Sequence, residues 1–229
     1  MIVGIIPAKS VSDRLKNKNF KKFNGKPMIA WTIETALKSK LFDKIIVSTD
    51  DVKVKKILKK YKIEIIIRPK KLNKEKYGII EIINYNLEKI RYKVSAICCL
   101  FPCAPLMQAQ DIKRGYKKLI LNKCKFVFAA SIFSHPVEKS FKLKNNKIKM
   151  IFNEKFVEKS SKFLSKTYHD VGYFYWGKTN TWRKNKWSYN SKVSFIEIPH
   201  WRAQDLDTLD DWKKTDLIFK SLNRKNINK

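Results

Sequence analysis

At 229 residues, the chain is about as long as one large α/β domain, so a single hydrophobic core is expected. Hydrophobic residues make up 44% of it, which is ordinary for a globular protein and excludes disorder throughout. The formal net charge of +31 would favour a polyanionic partner. Lysine supplies most of this charge and is spread through every segment, whereas surfaces that read DNA bases rely on arginine, so no nucleic-acid partner is expected.

Residues 1–7 are apolar, but this stretch is too short for a signal peptide and has no basic segment before it. No run elsewhere approaches the ~18 apolar residues that a membrane helix needs. We therefore expect a soluble, cytoplasmic protein with no membrane partner. The four cysteines lack the CxxC spacing of metal sites, so we expect buried, reduced thiols at Cys98, Cys99, Cys103 and Cys124.

Short apolar runs alternate with longer helical patterns along the chain, which is typical of a mostly parallel sheet with helices on both faces. Strands are predicted at residues 2–8, 44–48, 63–67, 94–100, 126–132, 171–176 and 193–198. Helices are predicted from Pro27, after a capping pair Thr49-Asp50, at 78–90 and 109–122, and after a capping box of Thr208 and Asp211. The predicted fold class is α/β, with a doubly wound, mostly parallel sheet.

Residues 135–166 interrupt this alternation. Within them, residues 142–152 predict a β-hairpin that turns at Asn145-Asn146. We interpret the interruption as an excursion from one domain that spans residues 1–222. The polar residues 223–229 are predicted to form a tail.

Ligands of doubly wound sheets bind beyond the carboxyl ends of the strands, so we expect the site in the loops after residues 2–8, 94–100 and 126–132. The first of these loops carries the cations Lys9, Arg14 and Lys18 among small residues. Backbone N–H groups of such a loop can surround phosphate oxygens while the cations neutralise them. A basic loop that merely connects two elements has the same composition, so this pattern alone leaves both interpretations open.

Residues 6–19 resemble the I-P-A-R-x-x-S-K-x-x-x-x-K-N signature of the acylneuraminate cytidylyltransferase family. Lys9 stands in the place of the arginine, Ser12 is retained, and Lys18-Asn19 closes the motif. Further segments resemble motifs of the family in the same order, at residues 25–28, 47–50, 68–69, 100–105 and 205–210. The resemblance extends from residue 1 to about residue 220.

This resemblance implies the fold of nucleotide-diphospho-sugar transferases and transfer of CMP from CTP to the anomeric hydroxyl of a nonulosonic acid, with release of pyrophosphate. Residues 168–177 and Cys98-Cys99 resemble the pseudaminic acid branch of the family. The sialic acid branch usually has Asn-Gly where this chain has Val171-Gly172. The implied partners are CTP and a nine-carbon keto-acid sugar, with pseudaminic acid preferred over sialic or legionaminic acid. A homodimer joined through residues 135–166 is also implied.

Asp205 and Asp207 are two residues apart before the last predicted helix, so their side chains point to one side if this stretch is extended. Two carboxylates on one side suit Mg²⁺, with phosphate oxygens and water as further ligands. By resemblance, both aspartates are ligands of a Mg²⁺ cofactor, and Asp207 or a metal-bound water helps to deprotonate the sugar hydroxyl. The alternative is that one of the two only caps the helix.

The resemblance also assigns roles to other residues. Lys9, Arg14 and Lys18 would bind the triphosphate and act in catalysis together with Asp207. Nucleotide contacts are further assigned to Ala8, Ser12, Asn19 and Arg68, and sugar contacts to His169, Asp170 and Tyr175. A surface arginine and a structural histidine are the alternatives for Arg68 and His169.

Two features depart from the family pattern. Asp13 occupies the position of a lysine thought to face the phosphates, and a carboxylate beside a triphosphate is repulsive. Residues 73–77 lack the Asp and Thr that the family often has there, which weakens the inference of nucleotide contacts from this loop. Two alternatives therefore stay open. One is a weakly active relative, and the other, from a different class, is a basic nucleic-acid-binding protein, which salt-dependent binding to random DNA or RNA would favour.

Overall fold

The computed structural model describes residues 1–12, 15–74, 76–184 and 192–227, so the predictions for Asp13 and Arg14 lie outside the described residues. Within these ranges the strands, in chain order, are β1 (Ile2–Ala8), β2 (Lys22–Phe23), β3 (Lys26–Pro27), β4 (Lys44–Thr49), β5 (Glu64–Ile67), β6 (Ala96–Leu100), β7 (Phe126–Ile132), β8 (Phe141–Lys144), β9 (Lys147–Met150), β10 (Tyr168–Lys178) and β11 (Val193–Glu197).

The helices in the same ranges are α1 (Met28–Ser39), α2 (Val54–Leu58), α3 (Ile79–Lys89), α4 (Ala109–Leu121), α5 (Lys155–Glu158), α6 (Thr179–Lys184) and α7 (Leu209–Ile227). The longer elements agree with the sequence prediction to within a few residues. None of the described helices combines the length and the apolar composition that are needed to cross a membrane.

One seven-stranded sheet forms the centre of the described chain, in the order β11-β7-β10-β6-β1-β4-β5. Its neighbouring strands are parallel, except that β10 runs antiparallel to both β6 and β7. The predicted α/β class with a mostly parallel, doubly wound sheet is therefore confirmed. The chain passes from β1 to β4 and β5 and then returns to β6 on the other side of β1, so the switch point lies between β1 and β6.

Apolar side chains cover both faces of this sheet. On β1, Val3 and Ile5 belong to the core under α3 and α6, whereas Ile6 and Ala8 belong to the larger core under α1, α4 and α7. All four are fully buried, as expected for a central strand with a helix layer on each face. This packing fixes the carboxyl end of β1, from which the first loop departs.

One predicted helix boundary is wrong. Thr49 is the last residue of β4, and Asp50 accepts hydrogen bonds from Ser10, so this pair does not cap α2, which begins at Val54. Helix α7 continues to Ile227, into the stretch that the sequence predicts as a tail.

The predicted hairpin in the excursion is confirmed. Strands β8 and β9 pair antiparallel in a separate two-stranded sheet, and Asn145 and Asn146 adopt φ angles of 50° and 57° at its turn. Positive φ at both central residues is the geometry of a type I′ turn, which asparagine tolerates. Leu143 and Ile148 face each other across the hairpin and are 68% and 67% exposed.

Candidate functional site

A cavity of about 280 Å³ opens at the carboxyl ends of β1, β5 and β6. The predicted site residues that line it are Lys9, Ser12, Lys18, Asn19, Arg68 and Asp205. Ala8 lies at the end of β1 and is fully buried. The structure therefore brings most of the residues predicted for the nucleotide and the metal around one cavity at the switch point of the sheet.

Hydrogen bonds to neighbouring segments hold the loop after β1. Ser10 donates its backbone N–H and its hydroxyl to the Asp50 carboxylate, at 2.8 and 2.7 Å. Asn19 donates an Nδ2–H to the carbonyl oxygen of Lys9 at 2.8 Å, which closes the loop across its base. Burial raises the pKa of Asp50, but the hydrogen bonds to its carboxylate, those from Ser10 first among them, lower it by more, so the net shift is downward. Asp50 is therefore an ionised anchor for the loop.

Lys18 connects this loop to the acidic segment before α7. Its Nζ donates to the Leu206 carbonyl oxygen at 2.7 Å and to Asp207 Oδ1 at 2.9 Å. The side chains of Lys18 and Asp207 are 19% and 21% exposed, so the pair is partly shielded from water. A loop cation and a carboxylate that are 189 residues apart in the sequence thus meet at the edge of the cavity.

The two aspartates of the acidic segment flank Leu206, which is buried, whereas Asp205 is exposed and Asp207 is half-buried. This alternation is that of an extended stretch. Gly172 of β10, with a φ of +67°, lies opposite: a Cβ added there would sit 3.9 Å from the carboxyl carbon of Asp205. At the start of α7, Thr208 and Asp211 form the predicted capping box.

Arg68 forms part of the inner wall of the cavity and is only 3% exposed, so the alternative of a surface arginine is wrong. Its guanidinium donates to the Ser48 carbonyl oxygen and, at 2.8 Å, to Asn73 Oδ1. Burial lowers the pKa of Arg68, and the nearby Asp50 carboxylate acts in the opposite direction. Among the described residues, Arg68 Nε has no hydrogen-bond partner. A ligand atom that accepts a hydrogen bond could satisfy this buried N–H.

The proline loop after β6 supplies the wall next to the acidic segment. Thr32 of α1 donates its hydroxyl to the carbonyl oxygen of Phe101 at 3.0 Å, and Cys103 donates its thiol to Asn19 Oδ1 at 3.1 Å. Burial raises the pKa of Cys103 to about 12, and although Lys18 lowers it, the acidic pair raises it further. Cys103 is therefore a protonated thiol that packs in the wall rather than a nucleophile.

The residues predicted to contact the sugar lie beside the cavity rather than in its wall. Asp170 accepts hydrogen bonds from the Tyr175 hydroxyl and, at 2.7 Å, from the Gly172 N–H. Burial raises the pKa of Asp170, and the hydrogen bond from Tyr175 opposes this. His169 and Asp170 line a second hollow of about 260 Å³. The ring of Tyr175 is 5.5 Å from that of Phe101, which lines the main cavity.

The structure bears on two of the loops considered in the sequence. Asn73 and Tyr77 line the cavity, although residues 73–77 lack the Asp and Thr that the family often has there. Asn73 belongs to the site through its side-chain amide, whose Oδ1 accepts a hydrogen bond from Arg68. Conversely, the loop after β7 contributes no residue to the described lining of the cavity. The reason is that β10 lies between β6 and β7 and moves β7 one strand away from the switch point.

Other lining residues were not predicted individually. The motif at residues 100–105 indicates the proline loop, but only the structure identifies Phe101 and Cys103 as its members in the wall. The sequence marks Gly172 only as part of a segment that differs between branches of the family, and it does not indicate its position at the cavity. Its left-handed backbone and its distance to Asp205 would have been the relevant signals, and both depend on the fold.

Comparison with known proteins gives the family of this fold and site. Residues 3–175 match the family described as cytidylyltransferase. The chain belongs to the cytidylyltransferase family. This cytidylyltransferase is 32% identical to the pseudaminic acid cytidylyltransferase of one Campylobacter jejuni strain and 33% identical to that of another, in each case over 220 residues, 94% of this chain and 95% of the relative.

A solved structure extends the comparison to the fold. The CMP:2-keto-3-deoxy-manno-octonic acid synthetase, solved as a complex with CTP, matches this cytidylyltransferase with a TM-score of 0.71. The match covers 96% of this chain and 99% of the other at 15% sequence identity, so it shows a shared fold. The family match and the Campylobacter relatives confirm the predicted family, its pseudaminic acid branch and the class of nucleotidyltransferase enzymes.

Proposed function

We propose that this cytidylyltransferase transfers CMP from CTP to the anomeric hydroxyl of pseudaminic acid. The hydroxyl oxygen forms a bond to the α-phosphorus and gives up its proton with help from Asp207, the bond from that phosphorus to the β-phosphate oxygen breaks, and pyrophosphate leaves. The contact between Lys18 and Asp207 carries the proposal, since it joins a cationic loop to an acidic pair at the switch point of the sheet. The identity of 32% and 33% to two pseudaminic acid cytidylyltransferases supports the choice of sugar.

The phosphates would lie in the loop after β1. Lys9 and Lys18 line the cavity there, and Ser12 adds a hydroxyl to the same wall. We assign Arg14 to the same group from the sequence motif. Phosphoryl transfer requires positioning and charge neutralisation more than covalent help, and a loop anchored by Asp50 supplies both.

The nucleoside would lie between the β1 loop and Arg68. Cytosine presents a carbonyl oxygen and a ring nitrogen as acceptors, and Arg68 has a buried N–H without a partner among the described residues. Asn19 lines the neighbouring wall. Ala8 ends β1 with its side chain buried in the core, so we assign it a contact with the nucleotide through its backbone.

Asp205 and Asp207 would hold the divalent cation, for which we propose Mg²⁺. Their hard oxygen donors suit this ion. The described residues contain no group of three or more metal-ligating side chains, so the protein would supply two carboxylates and leave the other positions to phosphate oxygens and water. When bound, the ion neutralises phosphate charge. Lys18, by pairing with Asp207, keeps this carboxylate next to the phosphate loop.

The sugar would extend from the acidic pair along β10. Phe101 and Gly172 line the cavity on this side, and Tyr175 lies behind Phe101 with its hydroxyl fixed by Asp170. His169 lies further out, where its ring is 4.9 Å from that of Phe133. We assign Asp170 and Tyr175 to the inner part of the sugar site and His169 to its outer end.

We further propose that residues 1–222 form one domain and that two copies associate through the excursion at residues 135–166. Lysines occupy one face of the β8–β9 hairpin, and apolar side chains, Leu143 and Ile148 among them, occupy the other. Exposed apolar surface of this kind is typical of an interface. Use of CTP for the activation of a glycan sugar agrees with a cytoplasmic location.

Pyrophosphate release from CTP would test the reaction. CTP is offered in turn with pseudaminic, legionaminic, N-acetylneuraminic and Kdo acids, with Mg²⁺ and with EDTA in its place. We expect the fastest release with pseudaminic acid and no release in EDTA. Faster release with N-acetylneuraminic or legionaminic acid would show that this acid, and not pseudaminic acid, is the preferred substrate. CTP binding without release for any acid would indicate an inactive relative, and a gel shift with random DNA or RNA at moderate salt would revive the nucleic-acid alternative.

A further inference from the structure

A buried ion pair lies behind the acidic segment. Arg202 and Asp111 are 4% and 2% exposed, and the guanidinium of Arg202 binds both carboxylate oxygens of Asp111, at 2.7 and 3.1 Å. Arg202 Nη1 also donates to the carbonyl oxygen of Leu106 at 3.1 Å. Asp111 in turn accepts the backbone N–H of Gln108 at 2.9 Å, at the start of α4. Neither charged residue is among those that line the described cavity.

This pair ties together three segments that form the cavity. Leu106 and Asp111 follow the proline loop that contains Phe101 and Cys103. The carbonyl oxygen of Arg202 accepts the hydroxyl of Tyr173, the neighbour of Gly172 in β10. Arg202 itself precedes Asp205 by three residues. Arg202 therefore links the proline loop to the acidic segment through its guanidinium, and β10 to the acidic segment through its backbone carbonyl oxygen.

The acidic segment needs such an anchor because residues 203–207 have no regular secondary structure and hence no ladder of backbone hydrogen bonds. At its carboxyl end, the backbone N–H of Asp207 donates to Asp211 in the cap of α7, at 3.1 Å. At its amino end, Arg202 provides the attachment. Both ends of the stretch that bears the two carboxylates are thus fixed.

Stability alone does not account for an ion pair at this position. Moving two charges out of water costs so much that well-packed apolar side chains are often as stabilising as a buried pair. A planar guanidinium that holds a carboxylate by two hydrogen bonds instead fixes direction, which apolar contacts do not. The geometry of the Arg202–Asp111 pair therefore indicates that the pair fixes the position of the segments it joins rather than adding to the stability of the fold.

We infer that Arg202 and Asp111 are positioning residues for the metal-binding carboxylates. They hold Asp205 and Asp207 at the distance from the proline loop and from Gly172 at which both can share one ion with the phosphates of CTP. This inference rests on the proposed function. Loss of the pair should weaken divalent-cation binding and kcat, whereas CTP binding to the β1 loop and Arg68 should be retained.

The test uses Mn²⁺ as the probe, counted by electron paramagnetic resonance while it is titrated into the full chain with CTP present. Arg202→Lys keeps the charge but loses the two-pronged contact. We expect its Mn²⁺ affinity to fall about 10- to 100-fold, the range for residues that orient metal ligands, with a parallel fall in kcat. Binding of CTP in EDTA, measured by calorimetry, should be unchanged. Arg114→Lys, an exposed arginine on the same helix as Asp111, is the matched control.

A double variant, Arg202→Met with Asp111→Leu, separates position from stability. It should match the wild type in thermal midpoint, yet bind Mn²⁺ as weakly as Arg202→Lys. Wild-type Mn²⁺ affinity and kcat in either folded variant would overturn the inference. It would also be overturned if neither variant folds, because the pair would then be a requirement of the fold itself. If the wild type neither binds Mn²⁺ with CTP nor releases pyrophosphate, the proposed function fails instead.

Discussion

Lys18 Nζ lies 2.9 Å from Asp207 Oδ1 and 2.7 Å from the carbonyl oxygen of Leu206, so one ammonium group joins the loop after β1 to the segment before α7. The three proton donors of an ammonium allow it to keep these two contacts and still reach a phosphate oxygen. Lys18 is therefore the residue at which triphosphate binding and the acidic pair would be coupled.

Replacement of Lys18 tests this coupling. In Lys18→Met, we expect kcat/KM for CTP to fall by about 10² to 10³, the cost of removing one group that stabilises developing charge. The exposed Lys16 of the same loop provides the control, because Lys16→Met removes an equal charge outside the cavity and should retain most of the activity. Steady-state pyrophosphate release measures both variants. Equal activity of the two would mean that the phosphates do not lie at Lys18.

Arg68 provides a second test at the other end of the nucleotide. We expect Arg68→Lys to raise KM for CTP by about tenfold or more, because a lysine cannot hold Ser48 and Asn73 and also present an N–H to the base. The value of kcat should change little, because Arg68 is assigned to the base and not to the phosphates or the metal ion. Arg91→Lys, at an exposed position, is the matched control. A normal KM in folded Arg68→Lys would remove Arg68 from the nucleotide site.

The central strands could be predicted from the sequence because their patterns are local. In β1, apolar residues at almost every position indicate a strand buried on both faces, and the structure buries it on both. The direction of β10 could not be predicted, since it depends on pairing with β6 and β7 and not on the composition of the strand. Its irregular pairing between Asp170 and Tyr175, which carries Gly172 to the cavity, is a consequence of the same long-range packing.

The candidate site is likewise only partly predictable from the sequence. The motif around Lys9 and Lys18 is contiguous, so the sequence indicates the cationic loop. The contact between Arg202 and Asp111 joins residues that are 91 positions apart and that resemble ordinary charged residues in isolation. No local pattern marks such a pair, because a buried ion pair is defined by burial and direction, which only the folded chain has.

The free energy of unfolding should depend on pH through Asp50, the carboxylate that anchors the first loop. Burial raises the pKa of Asp50, but the hydrogen bonds from Ser10 bring it below the ordinary value of 3.8. The folded state therefore binds this proton less tightly than the unfolded state, so the contribution of Asp50 to stability is present above pH 3.8 and is lost as the pH falls through its lowered pKa.

Ser10→Ala removes one of these donors and should reduce this contribution. We expect the free energy of unfolding of Ser10→Ala to be lower than that of the wild type at neutral pH, and the difference to shrink as the pH falls below 3.8. Urea unfolding at a series of pH values measures it. Ser160→Ala, at an exposed serine without a side-chain cap, should show no such trend. A difference that stays constant with pH would exclude the link between Ser10 and Asp50.

Asp13 stands where the family has a lysine, and the difference in charge leads to a prediction. A carboxylate in the first loop opposes a triphosphate, so Asp13→Lys should raise kcat/KM for CTP. A change of about 1.4 kcal/mol, modest for a charge reversal near a phosphate, corresponds to about tenfold. Asp13→Asn removes the charge without reversing it. Its kcat/KM for CTP should lie between that of the wild type and that of Asp13→Lys. If pyrophosphate release is the same for all three proteins, Asp13 does not act on the phosphates.

The hairpin of the excursion gives a prediction about assembly. Leu143 and Ile148 are cross-strand partners and are more than half exposed, while Lys142 and Lys149 are partners on the opposite face. If the apolar face joins two copies, a charge on it must be buried without a partner, which association cannot compensate. We therefore expect Leu143→Lys with Ile148→Lys to convert a dimer into a folded monomer. Lys142→Ser with Lys149→Ser should leave the dimer intact, because it changes only the lysine face. Size-exclusion chromatography with light scattering measures the masses, and a monomeric wild type would contradict the proposed dimer.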